Sequence, residues 1–562
     1  MHKRLKFLQF IFFLGFLLCI VRLGFWQIIE AEKLQAEAQA QYDRSSPLVT
    51  LRGLIATADG YPLVLNQQVF TLAIRPDSLT QKPSLVIAAL TPLLCKQDAS
   101  CSGSLNTKLL DDRKRIVLMT GLSKEQKNAI DALGISGLEF EGQSHRFYPE
   151  ASMSANLLGF VGKNSQGEDQ GYFGIEGKYD LELRGKTIQR HQATDALGVP
   201  IISEGNSAEV SGSRNVELTI HRDIQYLVEA ELQRGMERYG AKEADAVIME
   251  TQTGKILAMA SLPSYFPGNY AKEDPARFKN PMIADAYEPG STFKVITVAT
   301  GIDLGRIGPE TPCDDCGAPK KVGTYTIRTW NNEYQAGITM LQALVKSDNT
   351  AMMFAADKIG KQSFISYVKN FGFGQESGID LQDESTPTLR PDQSWGDIDL
   401  ATASFGQGIA VTGIQMVNAV NAIANGGVLM QPEIADRVYS DGQNFVIPPK
   451  PLRRVVSAQT ARTVANMMID SAAHGDAKWT LPAQYSIAGK TGTAQIPVGG
   501  HYDENRTIAS FVGFAPAENP KFTMLVRLVE PKTSQWGSET AAPLWFSIAK
   551  QLFLKMGIQP KQ

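Results

Sequence analysis

The stretch HKRLKFLQFIFFLGFLLCIVRLGFWQIIE, near the start of the chain, limits the fold more than any other feature. Apolar residues run from Phe7 to Val21, Arg22 interrupts them, and Leu23 to Ile29 resumes the run with Trp26 at its edge. A helix crosses a bilayer core with roughly 20 apolar residues. Residues 7–29 have that length if Arg22 lays its stem along the apolar surface and carries its charge to the interface. Lys3, Arg4 and Lys6 precede the span and predict a cytoplasmic tail, residues 1–6. The expectation is a single-pass inner- or plasma-membrane anchor with everything after it outside the cytoplasm, periplasmic where there is an outer membrane. A cleaved signal peptide is the competing reading, but Ala36-Glu37-Ala38 and Ala38-Gln39-Ala40 lie well past the apolar run, in a charged stretch. Bulky Leu18 argues against a lipid anchor on Cys19.

The compartment bears on the cysteines. Cys19 lies in the span; Cys95 and Cys101 are close in sequence, and Cys313 and Cys316 form C-x-x-C. Outside the cytoplasm each pair can close a local disulfide. Free thiols, a redox dithiol or half a zinc site are the alternatives. Zinc wants four ligands, and no second C-x-x-C or H-x3-H lies near. A net charge of -3 gives no electrostatic support for nucleic-acid binding.

Beyond the anchor, 562 residues at 43% hydrophobic allow two or more domains with real cores. Residues 26–42 read as a polar helix. LVTLRGLIATADGYPLVL alternates around an Asp59-Gly60 hairpin signal. Residues 78–135 read as mostly helical, with LSKEQKNAIDALG ending at a glycine stop, and short strands continue to about 215. From 216 the texture changes. VELTIHRDIQYLVEAELQRGMERYG reads as a strand and an amphipathic helix, and ADAVIMETQTGKILAMAS as two strands around a Thr253-Gly254 turn. RTIASFVGFAPAENPKFTMLVRLVEP reads as a late hairpin and APLWFSIAKQLFLKM as a final helix. An antiparallel sheet flanked by helices is the natural architecture.

The chemistry starts at AYEPGSTFKVIT. Ser291 and Lys294, three apart at a helix mouth, share one face. A serine hydroxyl needs a base, and unpaired N–H groups with the positive dipole end favour an oxyanion beside it. An ordinary lysine is only about 0.04% neutral at pH 7, so Lys294 serves as base only if burial or a second cation lowers its pKa. S-x-x-K alone recurs by chance, as in Ser547-Ile548-Ala549-Lys550, where a helix interior is expected. Ser291 has company: Ser347-Asp348-Asn349 and Lys490-Thr491-Gly492-Thr493 come after it in order, and S-x-x-K, S-D-N and K-T-G together form the serine penicillin-recognising signature.

On these motifs the chain resembles the class B high-molecular-weight penicillin-binding proteins, which are peptidoglycan D,D-transpeptidases. The likeness runs over nearly its whole length, through LRGLIATADGYPL, RFYPEASMSANLLGFVG, GYFGIEGKYDLELRG, LTIHRDIQ (with His221 where aspartate is common) and GQGIAVTGIQMVNAVNAIANGG. The resemblance implies an α+β fold: transmembrane helix 7–29, an elongated pedestal of the dimerisation type over 30–215, and a transpeptidase domain over 216–562. It implies that Ser291 is acylated by a D-Ala-D-Ala peptide or a β-lactam, that Lys294 takes its proton, that Ser347 relays a proton to the leaving amine, and that Asn349 holds Lys294 and the substrate amide. Lys490 is then the second cation and attracts the substrate carboxylate with Thr491 and Thr493. The N–H groups of Ser291 and Thr493 form the oxyanion hole, and Gly492 leaves room for a substrate along the strand. No cofactor or metal is implied. The implied membrane partner is a multi-span SEDS-family glycosyltransferase. The Tyr287-Glu288-Pro289-Gly290 approach and the K-T-G-T form lean to the septal, cell-division branch.

The bland readings lose to the motif order. Ser291 as a helix cap, or Ser347-Asp348-Asn349 as a turn, explains one motif and not three. GKTGT is no phosphate loop, because Gln484 stands where the Walker pattern needs glycine, and Gly185-Lys186-Thr187 fails likewise at Asp180. EDQGYFGIEG lacks the histidine of a peptidoglycan glycosyltransferase motif, having Ile175 there. The functional alternatives are a D,D-carboxypeptidase or β-lactamase type of hydrolase, and a non-catalytic penicillin sensor or division scaffold.

Overall fold

The structure is a computed structural model that describes residues 2–34, 43–49, 51–95, 99–108, 113–185, 187–193, 212–440, 442–499 and 501–561. It divides into two compact units, one of residues 1–52 with 184–213 and one of 53–183 with 214–562.

The first unit holds the helix His2–Gly24, continued by a π-helical turn Phe25–Ile29. The span Arg4–Ile29 has a mean hydropathy of 2.2 and is long and apolar enough to cross a membrane. Arg22 lies over the rings of Phe25 and Trp26, at 5.3 and 4.9 Å from their centres. Residues 31–34 are helical, and the rest of the expected polar helix lies outside the described residues. Strands Asp43–Val49 and Thr187–Ala193 pair antiparallel.

In the second unit one sheet joins distant parts of the sequence. Its order is Gln443–Val446, Ala435–Ser440, Asn215–Leu218, Ile55–Ala56, Pro62–Ile74 and Ile116–Leu122, with Leu138–Phe147 also paired to Pro62–Ile74. The texture change expected at 215 thus falls on a strand that pairs with both sides of the boundary. Asn215–Leu218 runs parallel to Ile55–Ala56 and antiparallel to Ala435–Ser440. Residues 78–135 differ from the helical expectation. Helices Pro83–Leu94, Ala99–Lys108 and Lys124–Asp131 are interrupted by strand Ile116–Leu122. IVLMTGL is rich in β-formers and buries Ile116, Leu118 and Leu122 against the helices beside it. The capping box of Ser123 and Gln126 then starts the next helix.

A five-stranded antiparallel sheet organises the rest, in the order Ile256–Leu262, Glu243–Glu250, Phe522–Val529, His501–Ala515, Ala488–Val498. Helices Arg222–Tyr239 and Ala541–Lys555 cover one face. Arg222–Tyr239 is amphipathic, buries Leu227, Val228 and Leu232, and stops at Gly240 in the left-handed region. Leu544 fits against Gly235, where a β-carbon would lie 2.5 Å from it. Trp545 packs beneath the sheet on Phe511 and Phe522 and donates its indole N–H to the Met524 carbonyl at 2.8 Å. The second Ser-x-x-Lys lies within this last helix, where the Ser547 hydroxyl donates to Glu231 at 2.8 Å. The other face carries a larger core that includes helices Lys294–Asp303, Asn349–Ile359 and Gly413–Ala424. The order of the sheet leaves Ala488–Val498, with the K-T-G-T motif, as an edge strand beside the turn that carries Ser291.

Disulfides join Cys95 to Cys101 and Cys313 to Cys316. The sulfurs of Cys313 and Cys316 lie near the Asp315 carboxylate, in the one group with metal-ligand proximity among the described residues. Two thiolate ligands are consumed by that bond.

Candidate active site

Gly290–Phe293 forms a single 3-10 turn, and the α-helix begins at Lys294. Ser291 therefore sits one turn ahead of the α-helix. In a 3-10 turn residues i and i+3 eclipse, so Ser291 and Lys294 stay on one side. Ser291 is half-buried and lines a cleft of about 1070 Å³ with Ser347, Asn349, Thr491, Gly492 and Thr493. Lys294 and Lys490 lie beneath its surface, 0% and 2% exposed. The three motifs meet in one place.

Lys294 Nζ donates to the Ser347 carbonyl at 2.6 Å, the Ser347 hydroxyl at 3.2 Å and Asn349 Oδ1 at 2.8 Å. Ser347 reaches it with both oxygens from a left-handed backbone conformation, φ 57°, a strained state that marks functional positions. Asp348 caps the next helix through the Ala351 N–H at 3.0 Å, and Asn349 is held by its own donation to the Arg328 carbonyl at 2.9 Å. Burial drives the Lys294 pKa well below the usual lysine range, the positive charge of Lys490 pushes it further, and Asp348 opposes them. Burial also lowers Lys490, to about 8, against the pull of Asp476. At pH 7 such a lysine is still about nine-tenths protonated. The pair is thus one lysine biased towards the free amine and one that stays a cation.

Close backbone approach holds the nucleophile turn on the edge strand. Gly290, at φ +55°, has no room for a side chain, since a β-carbon would lie 2.8 Å from the Thr493 carbonyl. A β-carbon on Gly492 would meet Ser510 Oγ at 2.5 Å, Thr292 Cγ2 at 2.8 Å and the Pro289 carbonyl at 3.0 Å. The glycine is needed because the strand touches the turn, a reason different from the substrate clearance expected from the motif. The Gly537 N–H donates to Thr493 Oγ1 at 3.0 Å, which leaves the threonine proton for a ligand. Lys490 Nζ lies 3.3 Å from the carbonyl and hydroxyl oxygens of Thr491.

Sequence reasoning missed three contributors. Gly406 accepts the Gly290 N–H at 3.0 Å, and a β-carbon there would overlap the Gly290 backbone. Glu288 accepts the Gly408 N–H and the Tyr502 hydroxyl, each at 3.1 Å, tying the turn to the arm beyond the K-T-G-T strand. Asp476 lines the cleft and faces Lys490. Gly406 and Gly408 stand in the GQGIAVTG stretch, where spacing alone gives them no role; Asp476 carries no sequence signal. Gly406→Ala is expected to unseat the turn: a left-handed φ of +82° and the overlap with Gly290 together cost about 2 kcal/mol or more. Thermal melting and penicillin labelling of the same sample check this, and unchanged labelling would refute it.

The cleft can activate a serine by a neutral lysine, bind a carboxylate on a buried cation, and pair an extended peptide along the edge strand. The comparisons with known proteins agree with that chemistry. Residues 244–553 match the penicillin-binding protein transpeptidase domain family, and residues 47–218 the penicillin-binding protein dimerisation domain family. Stage V sporulation protein D of Bacillus subtilis is 31% identical, over 100% of this chain and 87% of that protein. The peptidoglycan D,D-transpeptidase FtsI of Escherichia coli K12 is 28% identical, over 96% and 89%. The fold is that of penicillin-binding protein 2X from Streptococcus thermophilus, with a TM-score of 0.75 at 22% identity over 92% of this chain and 83% of that one. Penicillin-binding protein 3 of Mycobacterium tuberculosis, solved with ampicillin, has a TM-score of 0.70 at 24% identity, over 92% and 97%. With one family matched over more than half of its length, the chain belongs to the penicillin-binding protein transpeptidase family.

Proposed function

We propose that this chain is a membrane-anchored peptidoglycan D,D-transpeptidase that crosslinks stem peptides through an acyl-enzyme on Ser291. The observation that carries the reading is Lys294: fully buried, its pKa depressed by burial and by Lys490, and hydrogen-bonded to Ser347 and Asn349 one turn from a serine open to the cleft. Neutral Lys294 takes the Ser291 proton as Oγ attacks the carbonyl of the penultimate D-alanine. The N–H groups of Ser291 and Thr493 stabilise the oxyanion. On collapse the C–N bond breaks and the leaving D-alanine amine takes a proton from Lys294 through the Ser347 hydroxyl. An acceptor amine then attacks the ester and passes its proton through the Ser347 hydroxyl to Lys294, which returns it to Ser291 Oγ as the C–O bond breaks. Asn349 orients Lys294 and the substrate amide. Lys490, Thr491 and Thr493 hold the terminal carboxylate, and Gly492 lets the turn lie against the strand. A β-lactam is attacked at the same carbonyl position, but its ring amine stays tethered, so the acyl-enzyme persists.

The domains of this reading are a cytoplasmic tail 1–6, the anchor 7–29, a pedestal 30–215 and a transpeptidase domain 216–562, and the two family matches support the last two. The basic residues ahead of the span support a cytoplasmic N-terminus and an extracytoplasmic catalytic domain. A SEDS-family glycosyltransferase is the proposed membrane partner, and septal wall synthesis the proposed setting, as the K-T-G-T form and the Tyr287-Glu288-Pro289-Gly290 approach suggest.

Fluorescent penicillin labelling of the full chain in detergent, with the acyl mass mapped to Ser291, tests the nucleophile. Incubation with a donor peptide and an added D-amino acid tests the acceptor. Exchange of the D-amino acid into the product supports transpeptidation, hydrolysis alone would make the protein a carboxypeptidase or β-lactamase, and a folded protein that neither labels nor turns over would be a scaffold.

A further inference from the structure

A row of side chains crosses the five-stranded sheet beneath the nucleophile turn. Backbone pairing sets Ser261 opposite Asp245, Asp245 opposite Arg527, Arg527 opposite Ser510, and Ser510 opposite Gly492. Directly opposed residues share a face of the sheet. The row ends at Gly492, where a β-carbon would meet Thr292 and the Pro289 carbonyl, so its face is the one that carries the turn. At its centre Arg527 and Asp245, 3% and 1% exposed, pair at 2.9 Å. The Arg527 guanidinium also lies 4.6 Å from the ring centre of Tyr287, four residues before Ser291. Tyr287 exchanges two backbone hydrogen bonds of 2.9 Å with Val411. Its hydroxyl has no hydrogen-bond partner among the described residues, so the ring, and not the hydroxyl, is what the guanidinium holds.

Most neighbours on this face are apolar, among them Val247, Met249, Met259, Val512 and Leu525, and the Asp285 carboxylate is a further charge that feels Arg527. A buried ion pair in such a place is a poor source of stability, since apolar residues of similar volume often serve as well or better. We propose that Arg527 and Asp245 are positioning residues for acylation. Asp245 fixes the guanidinium, the guanidinium seats the Tyr287 ring by a cation–π contact, and the seated ring sets the height of Tyr287–Ser291 over the K-T-G-T strand. That height aligns the Ser291 and Thr493 N–H groups on one oxygen. The inference rests on Ser291 being the nucleophile, which the wild-type acyl mass tests separately.

The test is the penicillin concentration dependence of acylation by the full chain in detergent, which separates the affinity of the first complex from the limiting acylation rate. Melting temperature is measured beside it. The doubly apolar variant Asp245→Leu/Arg527→Met removes both members of the pair, and Asp285, which loses the Arg527 charge, is changed in a parallel Asp285→Asn variant to separate its effect. The double variant is expected to melt within a few degrees of wild type, keep the affinity within about twofold, and lose about tenfold or more in limiting rate, as small misplacements of reacting groups do. Tyr287→Leu is expected to lose rate in the same way, and Tyr287→Phe, which keeps the ring, to restore it. A limiting rate within about twofold of wild type in either the double variant or Tyr287→Leu overturns the proposal. So does a loss confined to affinity, or a Tyr287→Phe variant as slow as Tyr287→Leu.

Discussion

Ser291→Ala will remove covalent labelling by a fluorescent penicillin, with a fall of at least about 10⁴-fold in acylation rate. Ser347 is the other motif serine lining the cleft, but it is bonded to Lys294 and held in a left-handed conformation beside the helix cap Asp348. It has no freedom to turn to a carbonyl seated on the Ser291 and Thr493 amides. Ser291 is half-buried, and none of the hydrogen bonds of Lys294 goes to it. The melting temperature of the variant should therefore match wild type. Loss of labelling with an intact melt assigns the chemistry to this oxygen. An acyl mass that moves to Ser347 in the variant would show that the cleft has a second nucleophile and that the present assignment is wrong.

Lys294→Met is expected to slow acylation by about 10²–10⁴-fold at pH 7, the usual worth of a positioned base. The more telling result concerns Lys490. Burial comes first and the Lys490 charge second among the causes that depress Lys294. Removing the cation in Lys490→Ala makes protonation of Lys294 easier and raises its pKa. A smaller fraction is then neutral at a given pH, so the acid limb of the pH–rate profile moves to higher pH. Burial persists in the variant, so the limb does not travel all the way to the range of a free lysine. The profile of penicillin acylation from pH 5 to 10 reads this directly. A limb that stays in place, or moves to lower pH, would mean that another group titrates there. Peptide substrates and penicillin both carry a carboxylate that Lys490 holds in the proposed mechanism, so both should also lose affinity in this variant.

Much of the site was legible because its chemistry is local. Ser291 and Lys294 are three apart, Ser347 and Asn349 two apart, and Lys490 to Thr493 are consecutive. Each group needs only one turn of helix or one stretch of strand to point the same way. The anchor and the amphipathic helix Arg222–Tyr239 were legible for the same reason, since periodicity and composition act over one element. Strand Ile116–Leu122 was not, because a short apolar run between helices reads equally as helix until its partner strand is known. Here that partner is Pro62–Ile74, more than forty residues earlier.

By itself the sequence determined that the chain can cross a membrane, that it carries a serine with a lysine three residues on, and that a second lysine stands far downstream. Only the tertiary structure decided how the lysines divide their work. Burial lowers the pKa of both; the Lys490 charge pushes Lys294 further down against Asp348, while Asp476 opposes the shift of Lys490. The structure also decided why Gly290, Gly406 and Gly492 are glycines: three backbones meet at Ser291 with no room for a β-carbon between them. It revealed the Asp245–Arg527 pair under Tyr287 as well. Apart from those of Asp476 with Lys490 and of Asp348 with Lys294, these are contacts between segments more than a hundred residues apart, and spacing along a chain holds no information about separations that only folding closes.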